Sequence, residues 1–471
     1  MSNITIDKTT LDLIFGKKSD SANISERAAS SDVIFVRSQD HLGFFKPGAT
    51  GRCFSASEAL EYFGINKLVE IIDYGCAVLP VSKFEPALSF KKHRESLHLT
   101  EKEVASRINV TAQEIIDCED STKTSSIHTL IKLAMTLGLD ERFISLKPNT
   151  GIENNLAVRL KTLRDINGLS SDSVLSFSEA SWVIRTQYRL RAALGMESIL
   201  TNKFKKSSNY TYPCWQHGYE LANKARQLLG IDRNAPIESL RQLCDTLGIP
   251  LLQTSLSKNI AGATIDVDGH RGIIVNTEGA NENVWVRRST IAHELGHLFW
   301  DPQEKLSEVR VDNYDDIDNT HNEHERRDPV EIRANAFAIA FLAPPQAVTI
   351  EFKKYNNNRD GLRSVMEKFG ISFTSAKHHI NNVMGVILDE ASLDVDYTPT
   401  DDWKGRESYT DDYFVIDDVP PLRRGEFSAW VAKAEEAGFI SADTASIYLN
   451  TVLDTYQEKK KTIIELFPST N

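Results

Sequence analysis

The sequence lacks paired cysteines. Cys53, Cys76, Cys118, Cys214 and Cys244 are odd in number, widely scattered and free of any CxxC spacing, which argues against a disulfide framework and against a cysteine-held metal. It lacks any run approaching the ~20 continuous apolar residues of a spanning helix. Its first residues, MSNITIDKTTLDLIFGKKSD, lack the basic segment, apolar core and cleavage site of a secretory leader. A cytoplasmic protein with no membrane partner is therefore expected. An excess of positive charge is missing too: 54 Lys and Arg stand against 66 Asp and Glu, for a net charge of −12, so any contact with nucleic acid must be local.

What is present is a chain of 471 residues, 41% apolar and 25% charged, which fits a soluble globular protein of roughly three or four domains. Residues 1–32 are polar and are expected as a flexible N-terminal segment. Residues 33–89 pass from a strand, VIFV, through the turn region FFKPGATG to a helical pattern in ASEALEYFGINKLVEIIDYG, a small α+β region without a legible motif.

From Phe90 to Leu139, apolar residues recur at helical spacing in short blocks broken by polar turns. Thr100 and Thr111 stand at N-cap positions ahead of EKEVASRI and AQEIIDCE. This stretch resembles the Xre-type (Cro-like) helix-turn-helix family at Arg94, Leu99-Thr100, Val104-Ala105, Val110-Thr111, Ile115 and Glu119, which implies an all-α domain over 90–145. It departs from the family where DNA contact matters. Glu101 replaces the usual glutamine, and TAQEIIDCE carries Glu114, Asp117 and Glu119 but no Lys or Arg. Eight basic and nine acidic residues between Pro86 and Arg142 leave no electrostatic footprint for phosphates. DNA binding and a fold reused for protein contact or dimerisation both stand as readings.

The 154–209 stretch carries LKTLRDINGLS from Leu160, an echo of FKKHRESLHLT, and reads as a degenerate second helix-turn-helix or a helical linker. Arg185, Arg189, Arg191 and KFKK at 203–206 give it the better charge for DNA. Residues 210–388 then read as a long amphipathic helix, a helix running into a strand, and a hairpin with Asp268-Gly269 at its turn. Helices dominate from there to about Val386. Residues 389–471 read as an acidic linker followed by two helices.

Chemistry concentrates in IAHELGHLFW, 291–300. His293 and His297, at i and i+4, share one helix face and can bind one zinc ion together. Glu294 projects about 100° away, so it is placed to take a proton from water rather than to bind the metal. The pattern is short, but two histidines and a glutamate in a helix that is apolar on nearly all sides would be costly to bury without a purpose. Gly296, unfavourable by up to ~1 kcal/mol in a helix interior, would let another backbone or a substrate come close.

A catalytic zinc needs a third protein ligand and an open position. His321, Glu323, His324 and Glu325 lie in an acidic insertion, Asp301 to Pro329, that holds ten acidic and four basic residues and no glycine. Glu331, opening the apolar run EIRANAFAIAFLAP, is the better ligand because a packed helix makes a more rigid support than a loop. Asn335, one turn on, is expected to orient a zinc-binding histidine. His378 and His379 are adjacent, so at most one could face the cleft as an oxyanion donor, and an exposed pair is expected.

From about Trp215 to Val386 the chain resembles the ImmA/IrrE metallopeptidase family. The resemblance rests on ELANKARQLLGI, IIVN, STIAHELGHLFW, EIRANAFAIAFLAP and MEKFGISFTSAKHHINNV. It implies a zincin-like α+β fold, mostly helical across the whole chain. It also implies Zn²⁺ as cofactor, His293, His297 and Glu331 as ligands and Glu294 as general base. The expected function is a zinc-dependent endopeptidase that cleaves a regulatory protein, an Xre-type repressor or a partner protein, in a stress-response, mobile-element or defence setting. The alternative is a DNA-binding regulator or toxin-antitoxin component whose peptidase-like domain acts as a sensor or scaffold. A homodimer is the candidate assembly.

Overall fold

The computed structural model describes residues 6–46, 51–146, 169–196, 204, 206, 211–267, 269–302, 310–313, 329–388, 393 and 395–467, with 310–313 described by backbone alone. The chain divides into two compact units. Unit 1 takes 1–158, 185–197 and 415–469, and unit 2 takes 159–184, 198–414 and 470–471.

In unit 1 the expected flexible start is instead two capped helices, α1 (Lys8–Phe15) and α2 (Ile24–Ala29). The Asp7 carboxylate accepts from Thr10 N at 2.9 Å, and Asn23 caps the second helix. Leu11, Ile14 and Phe15, at i, i+3 and i+4, are buried in the core. A narrow apolar stripe inside a polar stretch was enough to anchor it. The same core holds an antiparallel sheet of order β3-β1-β2-β4, from β1 (Ile34–Ser38), β2 (His41–Phe44), β3 (Arg52–Ser55) and β4 (Ala77–Val78), together with α3 (Ala56–Tyr74).

Four helices follow: α4 (Ala87–Ser96), α5 (Glu101–Ile108), α6 (Ala112–Cys118) and α7 (Ile127–Thr136). Thr100 and Thr111 form capping boxes with Glu103 and Glu114, and Asn109 turns the chain between α5 and α6 at φ 56°. Buried Arg94 ties the group together, donating to Glu119 at 2.6 and 2.8 Å and to Leu99 O at 2.8 Å.

Residues 154–168 of the expected second repeat lie outside the described residues. Its described part is one continuous helix, α8 (Ser171–Ala193). The arginines expected to give it a basic face turn inward. Arg189 pairs with Glu141 at 3.1 Å, Arg191 with Glu426 at 3.0 Å, and Arg185 donates to Gly138 O at 3.2 Å. The C-terminal part holds three helices rather than two: α17 (Glu426–Glu436), α18 (Ala442–Leu449) and α19 (Leu453–Leu466). Gly438 at φ 78° and Asn450 at φ 52° supply the left-handed residues that break the run.

Unit 2 is built on α9 (Cys214–Leu228), α10 (Leu240–Leu247) and the strands β5 (Leu251–Thr254), β6 (Ile260–Val267), β7 (His270–Asn276) and β8 (Arg310–Asn313). The sheet order is β5-β7-β6-β8. β5 runs parallel to β7, and β6 pairs antiparallel with both β7 and β8. Val267 pairs with His270 and Gly269 takes φ 81°, as an Asp-Gly turn requires; Asp268 lies outside the described residues.

Helix α11 (Val284–Trp300) crosses this sheet, and α12 (Pro329–Leu342) packs against its other side. Every residue of α11 but Val286 is buried, which explains why its sequence is apolar on nearly all sides. Gly296 makes room for a side chain rather than a substrate: a Cβ there would lie 2.9 Å from Phe337 Cδ1. Gly218 of α9 is tighter still, since a Cβ would lie 2.4 Å from Arg333 O and 2.9 Å from Phe337 N, both backbone atoms of α12. Then come α13 (Pro345–Phe352), α14 (Asn358–Phe369), α15 (Phe373–Met384) and α16 (Asp401–Arg406). The expected acidic linker is in part structural: Trp403 is buried in the unit 2 core and Glu407 bonds α10 and α11. Among the described residues no helix is long and apolar enough to cross a membrane.

Candidate metal centre

Because α11 is helical throughout, His293 and His297 stack one turn apart on the face toward α12, their rings 4.7 Å apart. Their Nε2 atoms approach to 2.9 Å. Glu331, in the first turn of α12, brings Oε2 to 3.2 Å from His293 Nε2 and 3.4 Å from His297 Nε2. One ligating atom from each of the three side chains lies within 4.8 Å of the other two. Both histidines are buried, and the Glu331 side chain keeps 20% of its exposure although its Oε2 is buried.

The outward nitrogens fix the inward ones. His293 Nδ1 meets Asn335 Oδ1 at 2.7 Å and His297 Nδ1 meets Asp301 Oδ2 at 2.8 Å. Both partners are acceptors, so each Nδ1 carries a proton and each Nε2 directs a lone pair toward the other and toward the Glu331 carboxylate. Three electron-pair donors closing on one point are stabilised only by positive charge between them. A proton can supply that charge as well as a metal ion can. Burial alone would lower the pKa of His297, but Glu331 and the hydrogen bonds from Asp301 and Glu331 outweigh it and push it up to about 10. Burial would likewise raise Glu331, and the two imidazoles instead hold it well below the carboxylate range. The donor set of two imidazoles and one carboxylate fits a zinc ion.

Glu294 is fully buried on the sheet side of α11. Its Oε2 accepts from Thr264 Oγ1 at 2.6 Å, and Gly262 lies beneath it: a Cβ at 262 would stand 3.3 Å from Glu294 Oε1 and 3.1 Å from Thr290 Cγ2. The glycine is what lets strand β6 come this close to the carboxylate.

Asp301, the C-cap of α11, holds the other end of the group in place. One oxygen binds His297, and the other accepts from Arg333 Nη2 of α12. Burial favours its neutral form, but His297 and Arg333 hold its pKa below the ordinary aspartate value. Arg271 donates to Leu298 O at 2.9 Å and Asp301 O at 3.1 Å, satisfying carbonyls at the end of α11.

The structure brings together His293, His297, Glu331 and Asn335, with Glu294 on the neighbouring face. His321, Glu323, His324 and Glu325 lie outside the described residues. The expected exposed pair at 378–379 is corrected: His379 is buried and His378 is half-buried. Its Nε2 donates to Ala343 O at 2.7 Å and its Nδ1 accepts from Tyr219 Oη at 2.6 Å, while burial pushes its pKa down to about 4. It is a neutral structural link with both nitrogens engaged. Sequence reading missed Asp301, Arg333, Thr264 and Gly262.

Residues 244–381, from within α10 to within α15, match the family model of Peptidase_M78, described as the IrrE N-terminal-like domain. The matched stretch includes the sheet, α11 and α12, and does not reach 90–145. No curated protein matches the chain. Unit 2 therefore contains a metallopeptidase-like domain.

Proposed function

We propose that unit 2 is a zinc-dependent endopeptidase in which His293, His297 and Glu331 hold the metal and Glu294 is the proton acceptor. The observation that carries this reading is the convergence of both Nε2 lone pairs and the Glu331 carboxylate while each Nδ1 is held from behind. When bound, zinc supplies a Lewis acid that lowers the pKa of water and polarises a peptide carbonyl. The chain's own part is positional. Asn335 and Asp301 keep the imidazoles in the ligating tautomer, and Thr264 fixes the Glu294 carboxylate by one oxygen.

The test is metal content. Purified protein is expected to carry one zinc per chain, and His293→Ala and His297→Ala are each expected to lose it while keeping the helical signal. Unchanged metal in both variants would place the ion elsewhere.

As substrate we propose a regulatory protein, an Xre-type repressor or a partner protein, on the strength of the family resemblance. The insertion's ten acidic residues against four basic ones favour a basic segment such as a DNA-binding protein offers. For the α5–α6 pair of unit 1 we propose contact with protein rather than DNA. The exposed or half-buried side chains of α6 are Ala112, Gln113, Glu114, Ile116 and Asp117, with no cation among them and Ile116 47% exposed. A band shift on duplex DNA carrying the gene's own promoter is expected to fail at about 150 mM salt, where phosphate contacts dominate affinity. A salt-dependent shift lost on Gln113→Glu would overturn this reading.

A further inference from the structure

Strand β6 supports Glu294: Thr264 bonds its carboxylate and Gly262 lets the strand approach it. An extended chain brought to this carboxylate along the sheet has one place to run, the edge of β6 opposite β7. In the structure that edge is filled. β8 pairs antiparallel with it, with Arg310 opposite Thr264, Val311 opposite Ala263 and Asp312 opposite Gly262. The ladder breaks between Ile260 and Gly262, and the carbonyl of the bulged Ala261 accepts instead from Asn281 Nδ2 at 2.9 Å. Such bulges re-aim a strand beside active sites. β8 is also the last strand in the order β5-β7-β6-β8, so another chain joining on this side would lie a further ~4.8 Å from β6.

β8 comes from the insertion between the helix that carries His293 and His297 and the helix that carries Glu331. It is four residues long and sits beside the residues that position the base. We propose that β8 is a built-in occupant of a substrate-binding edge: it pairs with β6 in the resting protein and must leave before an extended segment of a protein substrate can take the same ladder. This rests on the peptidase reading above. The substrate segment is recognised mainly through its main chain, as in strand addition, and so must lack proline at the paired positions. A tethered strand competes at an effective concentration on the order of 1 mM. A segment arriving in solution at ~10 µM is then disfavoured by about 100-fold.

The test reads binding before it reads cleavage. In the full chain carrying Glu294→Gln, so that nothing is consumed, two release variants are made: Val311→Pro, and residues 310–313 replaced by Gly-Ser-Gly-Ser. The probe is a fluorescent peptide of residues 308–315, EVRVDNYD, followed by anisotropy, with zinc content measured in parallel. Both variants are expected to bind the peptide about 10- to 100-fold more tightly than the parent. With Glu294 restored, they are expected to cleave a protein substrate faster than the parent. Equal peptide affinity in parent and variants, with zinc retained, would overturn the proposal even if Glu294-dependent cleavage were intact. Tighter peptide binding in the variants with no cleavage by any Glu294-bearing protein would instead leave the edge occupancy standing and overturn the peptidase reading.

Discussion

Glu294→Gln is expected to keep one zinc per chain and to lower the rate of substrate cleavage by about 10²- to 10⁴-fold, the usual contribution of a positioned general base. The substitution preserves shape, and Thr264 Oγ1, 2.6 Å from Glu294 Oε2, can donate equally well to an amide oxygen. His293, His297 and Glu331 do not depend on Glu294 for their geometry, since Asn335, Asp301 and Arg333 hold the ligand face. Removing a buried negative charge also relieves a desolvation cost, so folding stability is expected to hold or rise. Zinc measured by elemental analysis and cleavage followed on gels separate the two effects. A variant with full zinc and a rate within a few-fold of the parent would show that another group accepts the proton.

What the sequence made legible at this site is what helical spacing encodes. His293 and His297 at i, i+4, and Glu331 and Asn335 one turn apart, project together because the backbone is regular, and no knowledge of the rest of the fold is needed. Asp301 obeys the same rule, four residues beyond His297, but it stands where the apolar run ends and reads as the first residue of the insertion. Thr264 and Gly262 are about thirty residues from Glu294 and meet it only through sheet-on-helix packing, which no local pattern announces. The inward arginines of α8 misled for a related reason. A charged face looks solvated until its carboxylate partners, Glu141 and Glu426, arrive from distant parts of the chain. The mostly helical character with small sheets was readable from periodicity, whereas the two-unit division was not, because each unit is assembled from segments far apart in sequence.

The segment mistaken for a linker carries the largest expected effect on stability. Glu407→Ala is expected to destabilise unit 2 by about 3–5 kcal/mol, the cost of stranding one member of a buried ion pair. Arg288, in α11 and fully buried, donates Nη1 to Glu407 Oε1, Nη2 to Ile237 O at 2.7 Å and Nε to Gly370 O at 3.1 Å. The Trp403 ring lies 4.2 Å from its guanidinium carbon. Burial draws the Arg288 pKa down and Glu407 opposes this, so the carboxylate is what keeps the cation tolerable there. Glu407 also accepts from Leu240 N at 2.5 Å and Arg241 N at 3.3 Å, two amides that open α10 and lose their acceptor in the variant. Denaturant unfolding followed by tryptophan fluorescence measures the loss. The paired change Arg288→Met with Glu407→Leu separates causes: if the stranded charge dominates, the double variant is more stable than Glu407→Ala alone, because apolar replacement of both partners is often nearly neutral. A Glu407→Ala loss below about 1 kcal/mol would assign the pair the modest worth of a surface bridge. A double variant no better than the single would shift the weight to the α10 amides.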